Sequence, residues 1–438
     1  MKPQRYRIGI LTFDEKDRLV YRPDALLSVD RQGRISEVRA VTSGRRSGLR
    51  GARALRGLLA IPGLIDAHCH ASQYPAVAND GLELLPWLKQ RIFPLESSFK
   101  GATARRTAER FFGDMIAHGT TTGCVNTAIW KESTDTCFKA ARDAGLRVIM
   151  GKVMMDVHSY DKDYSRADRR TSRTETSLRE SEELCRTWHG AANGRLLYAF
   201  TLRFALSCTP KIMYRAGRLA DEYGAYIQTH LAENKGELEA IRRVFPESKS
   251  YTEIYAHLGV LGPRTLLAHG VWLTESEFKL IERFGANVVH CPGSNAFLGS
   301  GIADLGRLRA GRIATALGSD VAAGPSLCMF DVMRQAVYGQ RLARAHGLHK
   351  KARGLYASEA FYMATLGGAR ALRLSGRIGS LAPGKEADFV VVDPAVYDTG
   401  FPDGKADPVK AVARLVYRGH RAAVTATFVA GRRIGGRL

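Results

Sequence analysis

No two of the seven cysteines form a CxxC pair; they fall singly at 69, 124, 137, 185, 208, 291 and 328. That spacing excludes a structural zinc knuckle, a disulfide scaffold and the PCxxC signature of cytidine-deaminase-type zinc enzymes, and it fits a reducing compartment. The chain also lacks any apolar run near the roughly 20 residues that a membrane-spanning helix needs, so no membrane association is expected. Its opening, MKPQRYRIGILTFDEKDRLV, has an apolar part too short and too interrupted by charge for a secretory leader, and a cytoplasmic location is the expectation. Neither an internal repeat nor a low-complexity segment is visible. Acidic residues are scarce: 43 Asp and Glu stand against 65 Lys and Arg, a formal charge of +22. The cations are spread widely, however. Their short runs (Arg45-Arg46, Arg105-Arg106, Arg169-Arg170, Arg432-Arg433) have no interleaved aromatics. This predicts no specific nucleic-acid partner, only weak, salt-sensitive attraction to anionic surfaces.

What is present is a strand-and-helix alternation. Near the start, RIGILTF, ALLSVD and ISEVRAV read as short strands, two of them separated by the turn Asp30-Arg31-Gln32-Gly33. Near the end, ADFVVVD, ARLVYRG and ATFVAGRRI read as strands as well. Neither end is long enough for a comfortable core alone, so residues 1–61 and 376–438 are expected to pair into one small β-sandwich domain. Between them, over 62–375, short apolar runs precede helical patterns. GLIDAH leads to LELLPWLKQRI, TTGCVN to STDTCFKAARDAG, AYIQTHL to KGELEAIRRVF, TLLAHG to TESEFKLIERFG, and IATALGSD to CMFDVMRQAVYG. About eight such units predict an α/β fold, a (β/α)8 TIM-like barrel. His68, His70, Arg203, His230, His269, His290 and Asp320 fall at the C-terminal ends of the apolar runs, where barrels of this kind build their sites.

In IDAHCH, strand alternation puts His68 and His70 on one face and Cys69 on the other. Two imidazoles so placed can chelate one ion, whereas Cys69 is expected to pack. Alone, an HxH triplet is weak. YIQTHLAEN adds His230 at a second strand end, and ATALGSD adds Asp320 at a third. A strand-end histidine is more often structural and a strand-end aspartate often caps a helix. Four residues converging from three strands outweigh those readings. Three neutral nitrogens and a carboxylate suit a divalent cation with room for water, Zn2+ or Fe2+. Glu233 follows His230 closely enough to serve as proton shuttle, although a first-turn glutamate is also favoured by the helix dipole. A bound Zn2+ would make hydroxide available at neutral pH, and His269, in LLAHG, is placed to hydrogen-bond that hydroxide or to stabilise a tetrahedral intermediate. His290 reads either as a support for the site or as a satisfied core histidine.

These segments are also familiar. PGLIDAHCH, HGTTT, THLAEN, AHGVWLTESE, HCPGSNAFLGSG and LGSDVAAG, in this order, resemble the amidohydrolase superfamily. HASQY, ELLPWLKQRIFPLE, LRFALSC, HLAENKGELEAI and SDVAAGPSLCMFDVMRQA are most similar to its guanine deaminase branch, and the likeness runs from about residue 6 to 434. The resemblance implies hydrolysis of guanine to xanthine and ammonia. It implies Glu233, His269 and Asp320 as catalytic residues, and one Zn2+ per chain on His68, His70, His230 and Asp320. Two-metal members carry a modified lysine on a middle strand, where LLYAFTLRFALS has Arg203 and no lysine. Gln73, Arg203 and Phe204 are implied to hold the purine, Trp87 either closes that substrate pocket or is a core aromatic of LELLPWL, and a homodimer is expected. Three positions depart from the pattern: Leu202 where proline is expected, His158 where asparagine is, and Ala322-Ala323 in a usually glycine-rich stretch. They leave open a related aminohydrolase or chlorohydrolase acting on an s-triazine, a modified purine or a pyrimidine. A catalytically silent scaffold on the same fold is the remaining reading; it has no reason to keep every ligand and the shuttle. The polar stretch 156–177 is expected to be a lid or a solvated connection.

Overall fold

Where a strand is covered on both faces, every residue along it must be apolar, small or internally hydrogen-bonded. The computed structural model, which describes residues 2–41, 49–157, 170–349, 354–399 and 407–438, separates strands of this kind from strands with a wet face. The chain starts with β1 (Gln4–Phe13), β2 (Leu19–Val29), β3 (Ile35–Ala40) and β4 (Arg53–Pro62). It then enters the barrel strands β5 (Leu64–His70), β6 (Thr120–Asn126), β7 (Arg147–Gly151), the two-residue β8 (Val153–Met154), β9 (Leu196–Leu202), β10 (Tyr226–Leu231), β11 (Thr265–His269), β12 (Asn287–His290) and β13 (Thr315–Leu317). It returns through β14 (Phe389–Val392), β15 (Val424–Val429) and β16 (Arg432–Gly436).

The end segments share one seven-stranded sheet, ordered β16-β15-β14-β4-β1-β2-β3, in which β1 and β4 are parallel and the other pairs antiparallel. Alternation divides its side chains between two cores. Phe389 and Val391 join Tyr6, Ile8, Leu27 and Phe428 in a core of its own, while Val390 and Val392 face the barrel's helices. Phe389 and Phe428 stack at 4.2 Å, with Tyr6 edge-on to both. The chain crosses from sheet to barrel at Gly63, where a Cβ would lie 2.1 Å from Thr121 Oγ1, so only glycine fits.

Eight parallel strands, β5-β6-β7-β9-β10-β11-β12-β13, form the barrel, with β8 extending the edge of β9. Every residue of β5 and β6 is buried. The barrel closes between its last strand and its first: the Asp320 N–H donates to the His68 carbonyl (2.8 Å) and the His70 N–H to the Val321 carbonyl (3.0 Å). The barrel and the terminal sheet are riveted by Arg147, a buried guanidinium 2.6 Å from Glu386 and 3.1 Å from Asp388.

Two expectations are corrected. ARLVYRG is not a strand but the end of a helix, Pro408–Arg418. The Asp407 carboxylate caps it by accepting from the Val409 and Lys410 N–H groups, Pro408 pre-sets its first turn, and Val412, Leu415 and Val416 are buried at helical spacing. The stretch 156–177 is also not one loop. A helix runs from Arg170 to Trp188, and Asp156 is buried, accepting from the Thr209 N–H and from the Thr174 and Thr209 hydroxyls. Residues 158–169, including His158, lie outside the described residues.

Candidate metal centre

Because β5 alternates, His68 and His70 point into the barrel mouth while the Cys69 thiol donates to the Cys124 carbonyl on the far side. β10 brings His230 and β11 brings His269; Asp320 follows β13 by three residues. His70 Nε2 lies 3.2 Å from His68 Nε2, 3.3 Å from His230 Nε2 and 3.1 Å from Asp320 Oδ1, which is itself 3.2 Å from His68 Nε2. His269 sits on the rim. Its Nε2 is 3.7 Å from Asp320 Oδ2 and 3.3 Å from Glu233 Oε2. A wider set with His269 in place of His70 keeps all donor atoms within 4.8 Å; the shorter distances favour His70 as the fourth member. His269 (φ +75°) and Asp320 (φ +49°) both hold left-handed backbone, uncommon for side-chain-bearing residues and concentrated at sites that must aim a group.

The donor chemistry fits a cation. His230 Nδ1 is 2.5 Å from the Arg203 carbonyl, which can only accept, so Nδ1 carries the proton and Nε2 presents its lone pair. Burial pushes His230 well below its ordinary value, and the neighbouring His68, His70 and His269 push it further. Burial also lowers His68, although Asp320 opposes it. The His230 lone pair lies 3.3 Å from His70 Nε2, which is 3.2 Å from His68 Nε2, so the three nitrogens are close enough to share one positive ion. Burial alone would raise the Asp320 carboxyl, but His68 and His70 more than offset it and hold the group well below the usual carboxylate range, in its ligand form.

Glu233 is the opposite case. Burial, then the Asp320 and Glu237 carboxylates, raise its carboxyl well above the usual range, and Oε1 has no hydrogen-bond partner. Burial thus favours the neutral, proton-bearing form of Glu233. Two carboxyls pushed apart in this way mark an acid and an anion with different tasks. His269 Nδ1 is 3.0 Å from Asn295 Oδ1, which fixes the ring so that Nε2 faces Glu233 and Asp320. Burial, then the adjacent His269, pushes His290 down to about 3; its Nδ1 has no hydrogen-bond partner, so it stands beside the cluster without joining it.

A cavity opens onto His70, His230 and Asp320. Gln73, Trp87, Arg203 and Phe204 all line it, so the four residues singled out in the sequence for substrate share one wall system with Glu233. Trp87 does two jobs: it is buried among Leu84, Leu88 and Ile92, and its indole N–H donates to the Asn79 carbonyl. Ala322 and Ala323 pack in that same cluster. Leu202 stands where proline is expected; the Arg203 N–H donates to the Met154 carbonyl at 3.2 Å, and the Arg203 guanidinium is held at 2.5 Å by a carboxylate. Sequence reasoning missed that carboxylate, Glu96, together with Glu237 and Asn295. Glu96 and Asn295 stand inside segments already singled out, FPLE and HCPGSN, but their partners are distant in the chain.

The chain matches the model of the Amidohydrolase family over residues 59–434. It is 37% identical over 344 residues to guanine deaminase of Escherichia coli, covering 78% of this chain and 74% of that one. Over 381 residues it is 33% identical to guanine deaminase of Mus musculus (85% and 82%). A crystal structure of guanine deaminase from C. acetobutylicum with guanine bound in the active site superposes with a TM-score of 0.89 at 30% identity, covering 99% and 100% of the two chains.

Proposed function

The chain belongs to the amidohydrolase family, and from that membership and the barrel mouth we propose that it deaminates guanine by metal-dependent hydrolysis, giving xanthine and ammonia. The observation that carries this reading is the buried convergence of three imidazole nitrogens and one carboxylate at 3.1–3.3 Å, on the floor of a pocket walled by Gln73, Arg203 and Phe204.

His68, His70, His230 and Asp320 would hold one Zn2+. When bound, such an ion supplies water acidified to a pKa near 7, a hydroxide source at neutral pH. The remaining work falls to the chain. Arg203 donates to the purine's 6-oxo oxygen, the Gln73 amide pairs with the ring's polar edge, and Phe204 packs on its face. Glu233 gives its proton to the ring nitrogen beside C2, which makes that carbon electrophilic. His269 Nε2, between Glu233 and Asp320, takes up a proton from water and passes it to the departing amine. The C2–N2 bond breaks and ammonia leaves, while the oxygen that stays on C2 returns its remaining proton to Glu233, restoring the acid and leaving the C2 carbonyl. A wrong base would leave these buried polar groups unpaired, which is how such a site discriminates.

The test is ammonia release by zinc-loaded protein offered guanine, adenine, cytosine, 8-oxoguanine and ammeline, with Glu233→Ala as control. Turnover of guanine well above the others, lost in the variant, supports the reading. One metal per chain with no turnover of guanine sinks the substrate and keeps the metal site; elemental analysis of the protein as purified, before any loading, separates Zn2+ from Fe2+. The same reading carries a homodimer, a cytoplasmic location and a division of the chain into 1–61 plus 376–438 and 62–375, which sedimentation, fractionation and limited proteolysis test in turn.

A further inference from the structure

Glu96 is a carboxylate with no exposure to solvent, and the reaction as written does not use it. It is reached through a helical stretch with one wider, π-type turn at Leu88–Ile92, a distortion frequent at functional sites. Trp87 and Leu88 line the pocket; Glu96, in the following helix Phe93–Ser97, bonds two other lining residues, Gln73 and Arg203. Its Oε2 accepts from Arg203 Nη1 at 2.5 Å, and its Oε1 from Gln73 Nε2 at 2.9 Å and from the Ser72 hydroxyl at 3.5 Å. From outside, the Trp130 indole N–H pins the Glu96 carbonyl at 3.3 Å, and the Phe93 ring lies 5.0 Å from the guanidinium. One carboxylate therefore grips both pocket residues assigned to the polar edge of the base. It engages a single guanidinium nitrogen, and the others have no protein acceptor among the described residues.

We infer that Glu96 is a positioning and charge-compensating residue that makes the pocket favour the neutral amino-oxo substrate over the anionic form of its dioxo product. This rests on the guanine-deaminating reading above. Exchanging the C2 amino group for oxygen turns a lactam into an imide-like –CO–NH–CO– unit, whose N–H is the more acidic. An uncompensated buried guanidinium would hold the resulting anion tightly and delay its release. Paired with Glu96, Arg203 offers donors but little net charge, enough for a neutral carbonyl and unrewarding for an anion.

The experiment compares KM for guanine with the inhibition constant for xanthine in the zinc-loaded, full-length wild type, Glu96→Gln, Glu96→Asp and Arg203→Gln, with metal content and melting temperature followed throughout. Glu96→Gln keeps the acceptor and removes the charge. The ratio of xanthine inhibition constant to guanine KM is expected to fall by about tenfold, the scale of one uncompensated buried charge. Glu96→Asp keeps the charge and shortens the reach, so both constants rise together and the ratio holds. Arg203→Gln leaves Glu96 without its counter-ion and moves the ratio the other way; this arm decides the matter if Glu96→Gln does not fold. A ratio unmoved in both charge variants, or one moved by Glu96→Asp as far as by Glu96→Gln, overturns the inference. Wild-type protein that releases no ammonia from guanine overturns the functional reading itself, a result distinguishable from either.

Discussion

Two places in this molecule bury charge away from water, and they do it in opposite ways. At the junction of barrel and terminal sheet, Arg147 meets Glu386 and Asp388, Glu386 also meets Arg377, and Asp388 accepts the Ala430 N–H; Arg147 Nη1 alone is left over. At the barrel mouth, His269 Nε2, Glu233 Oε1, Glu237 Oε1 and Asn295 Nδ2 are buried with no hydrogen-bond partner. A buried polar group left unmatched costs stability, about 1–3 kcal/mol each, and persists only where something else depends on it. The junction uses its charges to fix how two layers sit; the mouth holds its groups ready for a ligand and an ion. At these two places the difference follows the task, although single unmatched hydroxyls also occur elsewhere among the described residues, as at Thr122 and Tyr198.

The comparison can be broken most severely by stripping the ion. Chelation is expected to abolish turnover, and Zn2+ to restore it, read by ammonia release beside metal analysis. Next, Glu233→Gln should lower kcat by about 10^3-fold, within the range for loss of a general acid–base group, with metal content unchanged. Arg147→Ala probes the other region. Stranding Glu386 and Asp388 should cost about 3–5 kcal/mol in urea unfolding, while the protein that remains folded keeps its kcat. If that variant lost activity without losing stability, the division between the two regions would fail. Asn295→Ala, which frees the His269 ring, should reduce kcat by about tenfold, as loss of a supporting hydrogen bond does. The smallest effect concerns pH. His290 is near 3 when folded against an ordinary value of 6.5. Between those values the unfolded chain binds a proton that the folded chain does not, so stability is lost as pH falls through that window. His290→Gln should flatten the slope of unfolding free energy against pH by about one proton there, measured on metal-free protein.

Local rules made part of this legible in the sequence. Period-two alternation is enough to put His68 and His70 on one face and Cys69 on the other, and apolar runs ending in His230, His269 and Asp320 are enough to bring those side chains to one end of a barrel. ARLVYRG reads as a strand because a short apolar run suits strand and helix alike; the deciding signal, Asp407-Pro408, stands before the run begins at Ala413. Strand β4 was not separated from its surroundings because its first half, RALRG, is largely exposed and only its end is apolar. Glu96 was out of reach for a different reason. Its partner Arg203 is 107 residues away, and no periodicity connects a helix turn with a distant strand end.

The seam of the barrel has a consequence in time. Asp66 accepts from the Ser319 N–H (2.9 Å) and hydroxyl (2.5 Å) across 253 residues of chain, and the same seam joins His68 to Asp320. The first two histidines leave the ribosome long before the aspartate that completes their set. Until the eighth strand arrives, a nascent chain can offer an ion only part of its cage, and a chain truncated before residue 320 never closes it. Tight retention of one metal ion would then certify that synthesis and closure of the barrel are both finished, and a pulse-labelled series of truncations would show retention appearing in one step.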